Sequence, residues 1–370
     1  MKRRREKHLR EIEGQVRTAG WLLLMLIAAC SFESGCASTR AKDVVLPEAP
    51  IALMYWEDKA AQKRGDAFAK LAELPPIPPN KKDPEGQQDL EIRAHLRAEE
   101  SIQISPQLAK HPGRLMLYWP RTGRLERLEA APPDARPLAW SRDHRRLLFA
   151  SAHRGQKEQL YEYHLDRRDL RPLTLGPDEH PRGDYGDGDQ MISLRVHHPA
   201  YGGASESTVQ IQHGAGAEGD PIATGVPPGT LRIEPRGDRI VYEQVVVRPR
   251  RDGPTQYDSF IATRPAQAGG EEQILLAGRE PTLTPDGEWI VFASSSTAGY
   301  RLRRMRLDGT ARVAINPGTL EERMPTVSPD GEFIAFIRVD DGKRRLAVRS
   351  FDGKSERVLL SDGWSEFPVW

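Results

Sequence analysis

From about residue 113 to its end the chain alternates short apolar runs, rich in β-branched and aromatic residues, with clusters of Pro, Asp and Gly. That rhythm predicts strands joined by tight turns. One stretch, Pro281–Phe292, reads PTLTPDGEWIVF, and Pro325–Phe336 repeats it as PTVSPDGEFIAF. Weaker copies precede them at Trp140–Phe149, Asp187–Ile192 and Pro235–Tyr242. The turns at Asp143, Asp187, Arg236, Asp286 and Asp330 recur at roughly 45-residue intervals, the period of a four-stranded propeller blade. Within a unit, proline fixes φ and glycine accepts positive φ, which makes Asp286-Gly287 and Asp330-Gly331 turns. Asp308-Gly309 and Asp352-Gly353 then close a second hairpin between alternating runs. A lone four-stranded sheet cannot bury both faces, so the units must stack around an axis.

The end of the chain predicts how the ring closes. Phe367-Pro368-Val369-Trp370 matches only the opening strand of a unit. Its blade is completed near the start by Ile51–Trp56, Leu115–Trp119 and Arg124–Leu128. The prediction is an all-β, six-bladed β-propeller of four-stranded antiparallel blades spanning 51–370, whose clasp removes an exposed sheet edge. A helical and proline-rich insertion, 58–112, interrupts the first blade. Asp58–Leu74 reads as a helix, Leu74–Pro79 as extended, and Asp89–Glu100 as a second short helix. The insertion is expected to be a mobile cap or tether, with a lid or docking arm as the alternative.

The N-terminus follows a different pattern. A basic start, Lys2 to Lys7, leads to nine apolar residues, Trp21–Ala29. This is too short for a spanning helix of about twenty residues and suits the core of an export signal. It ends Ile27-Ala28-Ala29-Cys30, which resembles the bacterial lipobox. That resemblance implies cleavage of a 1–29 signal peptide, lipidation of Cys30, and a 30–50 linker from the lipid to the propeller. Ser31 then points to the outer membrane. The other cysteine, Cys36, follows Glu33-Ser34-Gly35, which puts a charge where the lipobox has an aliphatic residue.

The repeat units resemble the WD40-like repeat of the TolB family, most specifically in the last two. The family implies a periplasmic six-bladed propeller that docks peptidoglycan-associated and membrane partners. This chain departs from the family in its lipobox and in an N-terminal part too short for TolB's α/β domain. The matching residues are structural turns, so the resemblance transfers no catalytic residue.

Composition narrows function further. Lys+Arg 54 against Asp+Glu 53 gives a net charge of +1, with no general pull toward nucleic acid. Two cysteines exclude a disulfide framework and zinc-binding pairs. Gly203-Ala204-Ser205-Glu206-Ser207 approaches the Gly-x-Ser-x-Gly of hydrolases and fails at its last position. Asp184–Asp189 is spaced like a calcium loop, but its twelfth position is Arg195, so it reads as a turn. His197 and His198, adjacent on a strand, would face opposite sides. His180 and His213 are candidates to meet at a blade mouth, but read by default as solvated loop residues. Arg301–Arg306 reads as a strand with one wet face. No catalytic, metal or cofactor residue is predicted. The expected function is a monomeric envelope lipoprotein that binds an envelope protein or peptidoglycan-associated partner, with a propeller enzyme and a purely structural protein as alternatives.

Overall fold

Strand pairing resolves the repeats into six antiparallel four-stranded sheets. The computed structural model describes residues 45–71, 82–101, 113–155, 157–213, 219–248, 255–297, 299–315 and 319–370. The signal segment, Cys30, Cys36 and the Leu74–Pro79 stretch lie outside them.

In order from the channel outward, blade 1 holds β24 (Trp364–Val369), β1 (Ile51–Trp56), β2 (Arg114–Trp119) and β3 (Arg124–Arg127). Blade 2 holds β4 (Arg136–Trp140) to β7 (Asp169–Pro172), and blade 3 holds β8 (Glu179–Tyr185), β9 (Gln190–His197), β10 (Glu206–His213) and β11 (Asp220–Thr224). Blade 4 holds β12 (Leu231–Ile233), β13 (Arg239–Arg248), β14 (Gln256–Pro265) and β15 (Gln273–Ala277). Blade 5 runs from β16 (Arg279–Leu283) to β19 (Val313–Ala314) and includes β18 (Gly299–Arg306); blade 6 runs from β20 (Glu321–Val327) to β23 (Glu356–Leu360). The C-terminal strand is therefore the innermost strand of blade 1, with Val369 opposite Ala52 and Trp364 opposite Trp56. Trp370 completes the clasp by donating Nε1 to Ala49 O at 3.0 Å.

Each pair of neighbouring blades encloses its own apolar core. Leu147 and Phe149 of blade 2 pack with Leu115 and Leu117 of blade 1. Ile290 and Phe292 of blade 5 meet Val241 and Ile261 of blade 4. Ile51 and Leu53 of blade 1 join Ala335 and Leu346 of blade 6, so the ring is continuous across the clasp. Sheets wet on neither face need apolar residues on both, and this is why the central strands read as unbroken hydrophobic runs.

The insertion supplies α1 (Asp58–Leu71) and α2 (Pro84–Ser101). Helix α1 lies against blade 1, where Ala60 and Ala61 pack on Trp56 and Trp364. Arg64 and Glu366, 1% and 0% exposed, form a buried pair at 2.6 Å. Trp364 Nε1 adds a hydrogen bond to the same carboxylate at 2.6 Å. Helix α2 starts earlier than the expected Asp89. Asp83 accepts the Gly86 N–H at 3.0 Å as its N-cap, and Pro84 occupies the first helical position, where a missing N–H costs nothing.

Candidate functional site at the channel mouth

The two ends of the propeller channel are built differently. One end carries the repeat turns. In blade 5, Thr284 Oγ1 donates to Asp286 at 2.5 Å and accepts Trp289 N–H at 3.0 Å, while Asp286 accepts Glu288 N–H at 2.9 Å. Ser328, Asp330 and Phe333 repeat this in blade 6, and Ser141, Asp143 and Arg146 in blade 2. Gly287 and Gly331 have φ of 73° and 74°; a Cβ is disfavoured in that region. Asp308 accepts Thr310 N–H at 2.9 Å in the outer hairpin of blade 5, with Gly309 beside it. Asp352 does the same for Lys354 in blade 6, with Gly353 beside it. The turn aspartates are thus backbone clamps.

The opposite end is made by the start of the inner strands. In blades 5, 6 and 1 the chain bulges: register shifts fall between Arg279 and Thr282, between Arg323 and Thr326, and opposite Ala52/Met54. The bulge residues Glu280, Met324 and Phe367 have φ of 55°, 51° and 51°, each followed by a proline. A non-glycine residue in this region costs roughly 1–2 kcal/mol. A bulge re-aims side chains, and all three line one cavity of about 140 Å³.

Five arginines, one from each of blades 2 to 6, line the same cavity, together with two glutamates. Arg279 pairs with Glu243 of the preceding blade at 2.8 Å. Burial is the largest influence on the Arg279 guanidinium and would lower its pKa; Glu243, with Glu280 and Tyr300, together outweigh it and the net shift is upward. Arg323 holds Glu280 of the preceding blade through two nitrogens, at 2.6 and 3.1 Å. Arg136 bonds Glu158 at 2.9 Å and Pro181 O at 2.8 Å. Arg182 reaches Gly229 O of blade 4 at 2.8 Å. Arg232 crosses the channel to Leu138 O of blade 2 at 2.8 Å. It also lines the 330 Å³ cavity at the turn end.

Helix α2 roofs this mouth with His95 and Leu96. Arg279 donates to the carbonyls of both, at 3.0 and 3.3 Å. His95 Nε2 sits 3.0 Å from Ser259 Oγ, and Tyr257 donates to Glu91. Burial, then Arg279, lowers the His95 pKa. Two acidic residues tie α2 to the β9–β10 loop: Asp83 accepts Gly203 N–H at 3.0 Å, and Asp89 accepts the Ser205 hydroxyl at 2.8 Å. The expected tether is, in the described residues 82–101, a helix docked across the channel mouth.

The histidines and the hydrolase-like stretch meet here. His198 Nδ1 is 2.9 Å from Ser205 Oγ, and its Nε2 is 2.9 Å from Glu179. His197 points instead to Asp178, at 2.9 Å. Ser205 has one hydroxyl proton, and in this arrangement it goes to Asp89. His180 and His213 do not meet. His180 lies at the mouth end of β8, whereas His213 pairs with Gln190 at the turn end of the same blade. Burial pushes the His180 pKa down to about 4, and its Nδ1 has no hydrogen-bond partner. The Asp184–Asp189 stretch ends β8 and forms a turn, with Gln190 N–H bonded to Asp187 O at 2.9 Å. Among the described residues no group of three or more potential ligands is placed to hold a metal ion.

Comparison with solved structures fits this geometry. TolB from Acinetobacter baumannii superposes with a TM-score of 0.54 at 16% identity, over 70% of this chain and 62% of that one. A chain designated TolB from Agrobacterium tumefaciens superposes with a TM-score of 0.53 at 20% identity, over 68% of this chain and 88% of that one. The fold is a TolB-like propeller. Hydrazine synthase from Kuenenia stuttgartiensis shares it too, with a TM-score of 0.56 at 13% identity, over 87% of this chain but 46% of that one. At these identities the likeness concerns the fold. No protein-family model and no curated protein matches the chain.

The arginine mouth of this TolB-like propeller was not singled out by sequence reasoning. A signal was present: Arg279-Glu280-Pro281 and Arg323-Met324-Pro325 stand immediately before the two clearest repeats, and Arg136-Pro137 before a weaker one.

Proposed function

We propose that this TolB-like propeller is a binding module of the bacterial cell envelope, lipid-anchored through Cys30. It works without catalysis, presenting its arginine-lined channel mouth to an envelope protein or a peptidoglycan-associated partner. The observation that carries this reading is the concave mouth itself. It gathers an arginine from each of five blades under a docked helix; convergent polar groups in a preformed concavity are the usual form of a binding site. The acids there are engaged with arginines: Glu243 with Arg279 and Glu280 with Arg323. The near-neutral net charge supports a protein or cell-wall ligand over nucleic acid. Among the described residues no helix is long and apolar enough to cross a membrane, so the anchoring reading rests on the lipobox. A crosslinked pull-down of the full-length protein from its own envelope, with Cys30→Ala as control, tests the proposal. A defined partner that comes down only with the anchored form supports it; an empty pull-down sinks it.

One observation favours a second reading, a propeller hydrolase. Glu179, His198 and Ser205 form an acid–histidine–serine chain at the mouth rim, the constellation of nucleophilic acyl transfer. Asp89 beside the hydroxyl opposes it. Labelling with a fluorophosphonate probe decides: modification of the wild type but not of Ser205→Ala would make the hydrolase the better reading.

A further inference from the structure

Arg232 is the charge at the centre of the channel. It stands on β12, lines the cavities at both ends, and spans to Leu138 O. A guanidinium has five N–H donors in a planar fork. Among the described residues Arg232 has that single acceptor and no carboxylate within ion-pair distance. The acid that acts on it through space is Asp184. That carboxylate already accepts Tyr185 N–H at 2.9 Å and Ile233 N–H at 3.0 Å, and burial pushes its pKa up to about 6. Around the mouth, Arg279 and Arg323 are occupied by the two lining glutamates. The centre of the channel is left with a half-buried cation short of counter-charge, an arrangement that an arriving anion would stabilise. Its surroundings are mixed: Leu96, Leu138, Met324 and Phe367 give apolar walls above and beside the guanidinium. At about 140 Å³ the cavity is close to one that takes a benzene-sized molecule.

We propose that this cavity is a carboxylate site, in which the terminal residue of a peptide places its carboxylate on Arg232 beneath helix α2 and its side chain against the apolar walls. The proposal deepens the binding reading above and rests on it for the partner's origin. The planar fork of arginine matches a carboxylate through two parallel hydrogen bonds, and the apolar walls favour an organic acid over an inorganic anion. A protein tail and a cell-wall stem peptide both end in such a group.

The test is calorimetric titration of the full-length protein. The probes are a soluble cell-wall stem tetrapeptide ending in D-alanine, an all-L tetrapeptide ending in L-alanine, the C-terminal amide of each, and inorganic phosphate. Saturable binding of a free acid, at least tenfold weaker for its amide, is expected. Arg232→Gln should lose at least tenfold, Arg232→Lys less, and exposed Arg357→Gln should bind as wild type. Which free acid binds tighter assigns the source. Equal binding of acid and amide, no binding of any peptide, undiminished binding by Arg232→Gln, or binding of phosphate alone would overturn the site. If Arg232→Gln does not fold, the acid–amide comparison on the wild type still decides. A pull-down that finds a partner while no carboxylate binds removes the site and keeps the binding module. Carboxylate binding with an empty pull-down does the reverse.

Discussion

Blade 3 and blades 5 and 6 are built on the same topology and solve it in opposite ways. In blades 5 and 6 the inner hairpin closes through a five-residue step, Thr284 N–H to Trp289 O and Ser328 N–H to Phe333 O, with hydroxyl and aspartate clamping the turn. In blade 3 the equivalent bond runs from Gly186 N–H to Gln190 O, one residue shorter, and Gly186 has no hydroxyl to contribute. Blade 3 buries two ionisable groups outside any ion pair, His180 and Asp184, both 8% exposed, where blade 6 buries its Arg349 against Glu322; it also accepts helix α2 on its β9–β10 loop. Asp184 even reaches out of its blade to the Ile233 N–H of the next. The blade that departs from the repeat thus carries the buried groups without ion pairs and one set of the contacts that dock α2. Natural proteins tend to break local rules where they work.

The sharpest way to test this contrast is to remove a buried charge from each side. Arg349 in blade 6 is 1% exposed and binds Glu322, Glu356 and Ile315 O. Arg349→Met leaves Glu322 buried without its partner and should cost about 3–5 kcal/mol by denaturant unfolding. A loss under 1 kcal/mol would show that the regular blades do not depend on such pairs.

Next is pH. His180 has a folded pKa of about 4 against roughly 6.5 unfolded. The unfolded chain therefore takes up protons first, and the contribution present above pH 6.5 is lost as pH falls toward 4. Asp184, raised to about 6, works the other way: the folded state binds the proton first, so stability is gained as pH falls from 6 toward the unfolded value. Each effect is on the order of 2–3 kcal/mol, and in the wild type they largely cancel. Thermal unfolding between pH 4 and 7 should show His180→Gln gaining stability on acidification and Asp184→Asn losing it more steeply than wild type. Parallel profiles for all three proteins would refute the assignment.

Ser328→Ala removes both bonds of the turn clamp from a fully buried hydroxyl and should lower stability by about 1–2 kcal/mol. The smallest effect is expected at His144. It takes the glycine place of the blade 2 turn with φ of 53°, and its Nδ1 is buried without a partner. His144→Gly should raise the melting temperature slightly, by about 0.5–1 kcal/mol of relieved strain; a clear drop would mean its contact with Trp140 matters more.

These contrasts also explain what was legible beforehand. The ring and its clasp could be read because Pro-Asp-Gly turns and alternating runs act locally, and because Phe367–Trp370 copies the opening strand of a unit. Blade 3 was faint because its turn lacks the hydroxyl–aspartate pair. The arginine mouth was hidden because each blade contributes one residue, so nothing clusters in sequence. The arginine and proline preceding three of the repeats, Arg279-Glu280-Pro281, Arg323-Met324-Pro325 and Arg136-Pro137, betray it, and the bulge that aims a side chain inward is a property of the backbone. The onset of α2 was missed because Asp83-Pro84 reads as a break until its capping role is seen.

The clasp imposes an order on assembly. Tyr55 donates to Asp362 O across 307 residues, and β1 finds its inner neighbour only in β24. During synthesis, blades 2 to 6 can form one after another while β1 keeps an unpaired backbone edge, open to any strand that reaches it. Ring closure is thus a single late event, and until it happens the growing protein is an arc with a sticky end.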